Sequence, residues 1–318
     1  MSLLSIIVPI YNEQESIIEL HSRLNHSLNN LTFEYEIIFI DDGSQDRSFD
    51  IINQLASKDS RIKYIHLSRN FGHQIAISAG IDHCKGDAAI IIDGDLQDPP
   101  ELIPVLCNKF MEGYDVVYAK RNKRKGESIF KKLTAKAFYK VMKKATSIDI
   151  PEDVGDFRII SRKVIDCLKQ MPEQNKFLRG QIAWMGFKQC AIYYDRDGRK
   201  YGKTGYSLSK MVDLAGDAIT SFSNKPLKIV TRFGFIVSFI SFCLIIYALY
   251  RHIITGKTID GWTSIIVSSM FIGGVQILAI GVIGSYLGRI NKNIVARPLY
   301  LIDSTNINKS KKSDSPKA

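Results

Sequence analysis

Two carboxylates separated by a single glycine, Asp93-Gly94-Asp95, stand directly behind the apolar run Ala88-Ala89-Ile90-Ile91-Ile92. Acids at i and i+2 repel each other, and a divalent cation relieves that repulsion. Oxygen ligands select a hard ion, Mg²⁺ or Mn²⁺, whose shell is usually completed by substrate phosphates. Asp-Gly is also turn chemistry, so the tripeptide alone leaves the two readings level. Two further polar clusters share its context. Pro9-Ile10-Tyr11-Asn12-Glu13 follows the apolar run Ser5–Val8, and Asp41-Asp42-Gly43-Ser44 follows Glu36–Ile40. The chain has no G-x-G-x-x-G and no G-x-x-x-x-G-K-[ST], which argues against a dinucleotide site or a P-loop. An acid-pair phosphatase would carry its acids behind the first strand with a hydroxyl residue close after; here Leu96-Gln97 follow.

These clusters need a scaffold that brings strand ends together. Runs at Ser5–Val8, Glu36–Ile40, Lys63–Leu67, Ala88–Ile92 and Val116–Ala119 read as strands. Between them Glu15–Leu28, Asp46–Ala56, Ile75–His83 and Glu101–Met111 read as helices, the last started by Pro99-Pro100. Such alternation predicts a mostly parallel sheet covered on both faces, with ligands at the carboxyl edge. The β-branched run Ala88–Ile92 fits a strand buried on both sides.

The remainder of the chain is built differently. Hydrophobic residues make up 45% of the 318 residues and the mean hydropathy is −0.03, but that average hides a split. Phe233–Tyr250 and Trp262–Leu287 carry no charge. As helices they would span roughly 27 and 39 Å against a hydrocarbon core of about 30 Å, which predicts a transmembrane hairpin. Leu208, Met211, Val212, Ala215, Ile219 and Phe222 recur at helical intervals, so 208–228 is expected to be an interfacial amphipathic helix. The expected organisation is therefore a catalytic domain over 1–207, that helix, a membrane hairpin over 229–290 and a tail over 291–318, polar and unstructured from Ser304.

The net charge is +11, and Tyr118–Lys144 holds many lysines and arginines against one acid, Glu127. Lys131–Lys144 reads as a basic helix. Beside membrane segments, this charge points to anionic lipid and phosphorylated ligands, with no nucleic-acid partner expected. Lys225, Lys228 and Arg232 before the hairpin, and Arg289, Lys292 and Arg297 after it, place both flanks and the catalytic domain in the cytoplasm, with a multi-pass anchor in the cytoplasmic (inner) membrane. Five scattered cysteines without C-x-x-C spacing suit a reducing setting, and the amino-terminal run, cut short by Pro9, reads as a strand and not a signal peptide. The six histidines lack metal-ligand spacing and default to surface or structural roles.

The set Val8-Pro9-Ile10-Tyr11-Asn12-Glu13, Asp41-Asp42-Gly43-Ser44 and Asp93-Gly94-Asp95-Leu96-Gln97-Asp98-Pro99-Pro100-Glu101 resembles the inverting GT-A glycosyltransferases of family 2. Within them the chain is similar to the polyprenyl-phosphate branch, the dolichol-phosphate mannosyltransferases and bactoprenol glucosyltransferases. Gly155-Asp156-Phe157-Arg158, the stretch Arg196–Tyr206 and the membrane hairpin also fit. Glycine stands between the acids where alanine is more usual, and Lys131-Lys132 stands where arginine is often found.

The resemblance implies a Rossmann-like GT-A domain and a set of roles. Pro9, Tyr11, Glu13 and Gly94 would shape the nucleotide-sugar pocket, and Asp42 would accept hydrogen bonds from the base. Asp95, helped by Asp93 and Gln97, would hold Mg²⁺ or Mn²⁺ at the diphosphate. Asp156 would be a base or an acceptor-orienting carboxylate; a helix cap for Ser161–Leu168 is the alternative, as a core aromatic is for Tyr11. Arg121, Arg124, Lys132, Arg199 and Lys203, with Ser128, would bind the lipid phosphate. The reaction implied is inverting transfer of a hexose, glucose from UDP-glucose first, to undecaprenyl phosphate. GDP-mannose, UDP-N-acetylhexosamine and aminoarabinose donors are alternatives, and a non-catalytic membrane scaffold is the competing class. A processive synthase would want more membrane helices and a Q-x-x-R-W signature. Gly273-Gly274, Gly281, Gly284 and Gly288 permit close helix packing, so a homo-oligomer, up to a tetramer, is expected.

Overall fold

The computed structural model describes residues 1–29, 31–122, 154–195, 225–255 and 261–307. As far as they are described, 1–195 and 297–307 form one compact unit and 225–296 a second.

The first unit is an α/β layer structure. Its sheet holds β1 (Leu3–Ile10), β2 (Glu34–Asp41), β3 (Ile62–Leu67), β4 (Ala88–Ile91), β5 (Val116–Arg121), β6 (Val154–Ser161), β7 (Gln189–Tyr194) and β8 (Ile302–Thr305). The strand order is β7-β5-β6-β4-β1-β2-β3-β8. Strands β1, β2, β3 and β4 run parallel, as do β5 and β7, whereas β6 is antiparallel to both β4 and β5 and β8 to β3. The expected mostly parallel sheet is thus a mixed one. Its parallel half carries the logic of an open α/β sheet. From β1 the chain winds outward through β2 to β3, and β4 then pairs on the other flank of β1. The crevice beyond the carboxyl ends of β1 and β4 is the switch point where such sheets bind ligands.

Burial explains the apolar runs. Leu4, Ile6, Val8 and Ile10 pack on one face with Phe39 and with Leu20 and Leu24 of α1 (Ile17–Leu28). Ile7, Ile38 and Ile40 pack on the other face with Ala76 and Ile77 of α3 (His73–His83). Both sides of β1 are therefore dry, so its pattern is continuous and not alternating. Helix α3 lies unusually close to the sheet: a Cβ on Gly80 would meet Ile7 Cγ2 at 2.4 Å and Ile40 Cδ1 at 2.8 Å. That close seat fixes the later turns of α3 against β1 and β2.

Helices α2 (Ser48–Lys58), α4 (Ile103–Met111), α5 (Arg162–Gln170) and α6 (Leu178–Trp184) complete this unit, α4 being preceded by a 3-10 turn at Pro100–Leu102. Ser161 caps α5, its hydroxyl accepting from Val164 N–H at 3.4 Å. Asp156 therefore lies inside β6 and is not that helix's cap. The polar segment from Ser304, expected to be unstructured, instead begins within the edge strand β8. Thr305 Oγ1 donates to Tyr64 O (2.6 Å), and the Asn306 amide bonds Tyr64 N (2.8 Å) and Ile62 O (3.0 Å).

The second unit contains α7 (Lys225–Thr255) and α8 (Trp262–Val295). Within α8, Ser268–Val295 is long and apolar enough to cross a membrane, with a mean hydropathy of 1.8 and none of it buried. The expected basic helix 131–144 and the expected amphipathic stretch 208–224 lie outside the described residues.

Candidate active site

Loop-to-loop hydrogen bonds assemble the edge. Asn12, at φ +54°, donates its N–H to Ser44 Oγ (3.0 Å) and accepts from Gln45 N–H through Oδ1 (2.8 Å). Glu13 N–H donates to Ser48 Oγ (3.0 Å), tying the loops after β1 and β2 together. Ser16 Oγ donates to Gly94 O (2.7 Å), tying the first loop to the acid pair. Asp42, only 3% exposed, accepts from Phe71 N–H (2.7 Å) and Gly72 N–H (2.9 Å), which draws in the loop after β3. The contact is close enough that a Cβ on Gly43 would sit 2.4 Å from the Arg69 carbonyl carbon. Burial pushes the Asp42 carboxyl upward, and those two N–H groups oppose the shift.

The structure thus brings Pro9, Tyr11, Glu13, Asp42, Asp93, Gly94, Asp95, Gln97 and Asp156 to one edge. Tyr11 is exposed, which removes the core-aromatic alternative. Gly94 has a local reason: a Cβ there would meet Ile10 Cδ1 at 2.4 Å and Pro9 O at 3.1 Å. Leu96 turns the acid loop at φ +59°, a conformation costly for a leucine and typical of functional loops. Of the residues expected at the lipid phosphate, Arg121 closes β5; its Nε approaches Tyr194 Oη at 3.5 Å, and Tyr194 donates to Asp98. Arg124, Ser128, Lys132, Arg199 and Lys203 lie outside the described residues.

Asp156 forms the centre of an electrostatic cluster that the sequence reading lacks. Its carboxylate, 4% exposed, accepts from Arg179 Nε (2.8 Å) and Nη2 (3.0 Å), Gln74 Nε2 (3.0 Å) and His73 Nε2 (3.2 Å). Burial alone would raise its pKa, but Arg179 and His73 hold it well below the usual carboxylate range. His73 Nε2 also lies 3.4 Å from Asp93 Oδ1. Burial works against a charged imidazole, yet Asp93 and Asp156 overcome it and lift His73 to about 9. Asp93 moves the other way: burial, opposed by His73 and reinforced by Asp98, Asp156 and Asp95, raises it to about 6. Nothing in the spacing of the histidines signals this role. His73 and Gln74 open a helix, and their partner comes from a strand far along the chain.

A divalent ion fits the acid pair on a direct observation. Asp93 Oδ1 is buried and accepts no hydrogen bond from the described residues, facing only the His73 ion pair at 3.4 Å. The Asp95 carboxylate is partly exposed, with Oδ1 accepting from Gln97 N–H (3.1 Å). Among the described residues no three acid, histidine or cysteine side chains form a closed metal cage. Mg²⁺ and Mn²⁺ bind through one or two carboxylates and leave positions for water and phosphate, and Asp93 and Asp95 offer such a donor set.

An open α/β sheet that gathers these acids at its switch-point edge has the architecture of a ligand-binding α/β domain. The chain belongs to glycosyltransferase family 2, "Glycosyl transferase family 2" matching residues 5–169. It is 48% identical to the "Uncharacterized glycosyltransferase YkcC" of Bacillus subtilis (strain 168), over 95% of this chain and 93% of that protein. It is 41% identical to the "Bactoprenol glucosyl transferase" of Shigella phage SfX, over 95% of this chain and 99% of that protein. A "Prophage bactoprenol glucosyl transferase homolog" of Escherichia coli (strain K12) is also 41% identical, over 94% and 98%.

Proposed function

We propose that this chain transfers glucose from UDP-glucose to undecaprenyl phosphate at the cytoplasmic face of the inner membrane, giving a β-linked lipid-phosphosugar. The observation that carries the reading is the convergence of Asp93, Asp95, His73, Asp156 and Arg179 at the switch-point edge of a family 2 transferase. The relatives named for bactoprenol glucosyl transfer support the acceptor and the sugar.

A phosphate oxygen of the lipid attacks the anomeric carbon as the bond from that carbon to the nucleoside diphosphate breaks. The electron pair leaves with the diphosphate, and the configuration inverts. A phosphate monoester is largely ionised near neutral pH, its second pKa being about 6, so no strong base is required. The state of Asp156 agrees, since a carboxylate held anionic by four donors takes up a proton poorly. It orients Arg179 and His73, leaving two partly exposed cationic groups over a buried anion. Asp93 and Asp95, with Gln97, would hold Mg²⁺ or Mn²⁺, which supplies neutralisation of the charge developing on the leaving diphosphate. Pro9, Tyr11, Glu13 and Gly94 would line the nucleotide pocket. Arg121, with Arg124, Ser128, Lys132, Arg199 and Lys203, would meet the lipid phosphate.

Both α7 and α8 would sit in the bilayer. Phe235 and Phe239 on α7 are 75% and 69% exposed and Met270 and Ile277 on α8 are 76% and 71% exposed, more apolar surface than water tolerates. The glycines of α8 leave room for a second copy, so a homo-oligomer is part of the reading.

The test is transfer of radiolabelled sugar, from a panel of nucleotide sugars, into a butanol-extractable, mild-acid-labile lipid. Label from UDP-glucose is expected. Label from GDP-mannose, UDP-N-acetylhexosamine or an aminoarabinose nucleotide alone would overturn the donor, and no transfer from any donor would leave the scaffold class standing.

A further inference from the structure

Helix α6 starts without a conventional cap. Its N-cap residue is Phe177, whose side chain accepts nothing. The first N–H groups of a helix have no partner within it and must find one elsewhere. For Leu178, the first residue of α6, the partner comes from another helix: its N–H donates to Gln74 Oε1 at 3.1 Å. The other end of the same amide donates to Asp156 Oδ2 at 3.0 Å. The orientation of this amide is dictated by its neighbours, because a carboxylate can only accept and a backbone N–H can only donate. Gln74 therefore bridges the backbone at the start of α6 and the buried acid on β6. The residue after Leu178 is Arg179, which grips that acid through Nε at 2.8 Å and Nη2 at 3.0 Å.

We infer that Gln74 is a positioning residue. It sets the start of α6 and thereby the register of Arg179 against Asp156, through its bonds to Leu178 N–H and Asp156 Oδ2. The inference rests on the reading that the Asp156–Arg179 pair serves the transfer step. On it, loss of Gln74 slows turnover and leaves donor binding alone, because the residues assigned to the donor (Pro9, Tyr11, Glu13, Asp42, Asp93 and Asp95) keep their contacts.

Gln74→Ala and Gln74→Glu test this in the full-length protein in detergent. For Gln74→Ala, kcat is expected to fall about 10- to 100-fold, the rate equivalent of one hydrogen bond to a charged group, while the donor KM and UDP affinity stay within about twofold. Gln74→Glu separates the two ends of the side chain. Ionised, the introduced carboxylate still accepts from Leu178 N–H but repels Asp156; protonated, it donates to Asp156 as the amide did. The kcat of this variant relative to wild type should therefore rise as pH falls. The other charged groups facing position 74 are His73, Asp156 and Arg179, with Asp93 and Arg158 beyond them, and all are common to both proteins. Amide exchange at Leu178 should quicken in Gln74→Ala whatever the activity. Wild-type kcat in Gln74→Ala, a ratio for Gln74→Glu that is flat with pH, or UDP affinity falling in step with kcat would each overturn the inference. If wild type itself transfers no sugar, the functional reading falls separately, and unchanged exchange at Leu178 would then overturn the positioning role.

Discussion

Asp156→Asn removes one negative charge and keeps the side-chain shape. In the native site Asp156 and Arg158 are each 4% exposed and lie 4.0 Å apart, and the carboxylate accepts from Arg179, Gln74 and His73. Every one of those partners is a donor. The amide NH₂ of asparagine must therefore face a donor, and Arg158 loses its nearest compensating charge. Burial has already brought Arg158 down to about 10, partly offset by Asp156, so it is poorly placed to lose that partner. Breaking a buried charge pair from one side costs about 3–5 kcal/mol. At about 2–4 °C per kcal/mol for a domain of this class, the melting temperature should drop by roughly 6–20 °C. Scanning fluorimetry in detergent measures it. A second readout is independent of unfolding: with one of its two carboxylates gone, His73 should titrate below its native value of about 9, followed by NMR of labelled histidine. An unchanged melting temperature together with an unchanged His73 titration would refute the account of Asp156 as the hub of the cluster.

Asp95→Ala should abolish formation of the lipid-phosphosugar, and full activity of this variant with an unchanged dependence on Mg²⁺ would remove the metal assignment. Gly94→Ala places a methyl group 2.4 Å from Ile10 Cδ1 and 3.1 Å from Pro9 O; it should cost about 1–3 kcal/mol of stability, read by thermal unfolding. Asn306→Ala removes two bonds that pin the segment after β8 to β3 and should accelerate amide exchange at Tyr64. The pH dependence of stability has a defined sign. His73 is lifted from 6.5 to about 9, so its contribution is complete below pH 6.5 and disappears as pH rises toward 9. Asp156 is lowered, so its contribution is present above the ordinary carboxylate pKa of 3.8 and is lost as pH falls further into acid; unfolding followed by fluorescence across pH checks both.

Strands buried on both faces are readable because dryness on two sides leaves only apolar residues. β1, β2 and β4 announce themselves in this way, and with them the carboxyl edge and its acids. β6 does not, because it carries Gly155, Asp156 and Arg158 in its middle, a pattern closer to a loop than to a buried strand. Its polar residues are tolerated there because each is paired: Arg158 Nη2 donates to Gly155 O at 2.8 Å, and Asp156 accepts from Arg179, Gln74 and His73. β8 escapes the sequence for a related reason, since an edge strand of four residues needs no apolar alternation and its hold comes partly from Thr305 and Asn306. Asp156 is readable from the family likeness, but His73, Gln74 and Arg179 are not. Their significance depends on a partner 83, 82 and 23 residues away, and no local spacing encodes that.

The acids of this edge separate by what the protein already gives them. Asp42 holds two backbone N–H groups and so closes the loop between β3 and α3; its oxygens are largely committed before any nucleotide arrives. Asp156 holds two nitrogens of Arg179 together with Gln74 and His73, which makes it a fixed anion that organises cations. Asp93 is different. Burial raises it to about 6, opposed by the His73 ion pair at 3.4 Å and reinforced by Asp98, Asp156 and Asp95, and its Oδ1 accepts no hydrogen bond from the described residues. On the proposed function a cation arriving with a diphosphate would remove that penalty, whereas at Asp156 it would compete with Arg179. Identical side chains on one edge are thus committed to different tasks by their hydrogen bonds. His73, lifted to about 9, stands between Asp93 at 3.4 Å and the Asp156 carboxylate at 3.2 Å that Gln74 and Arg179 also hold.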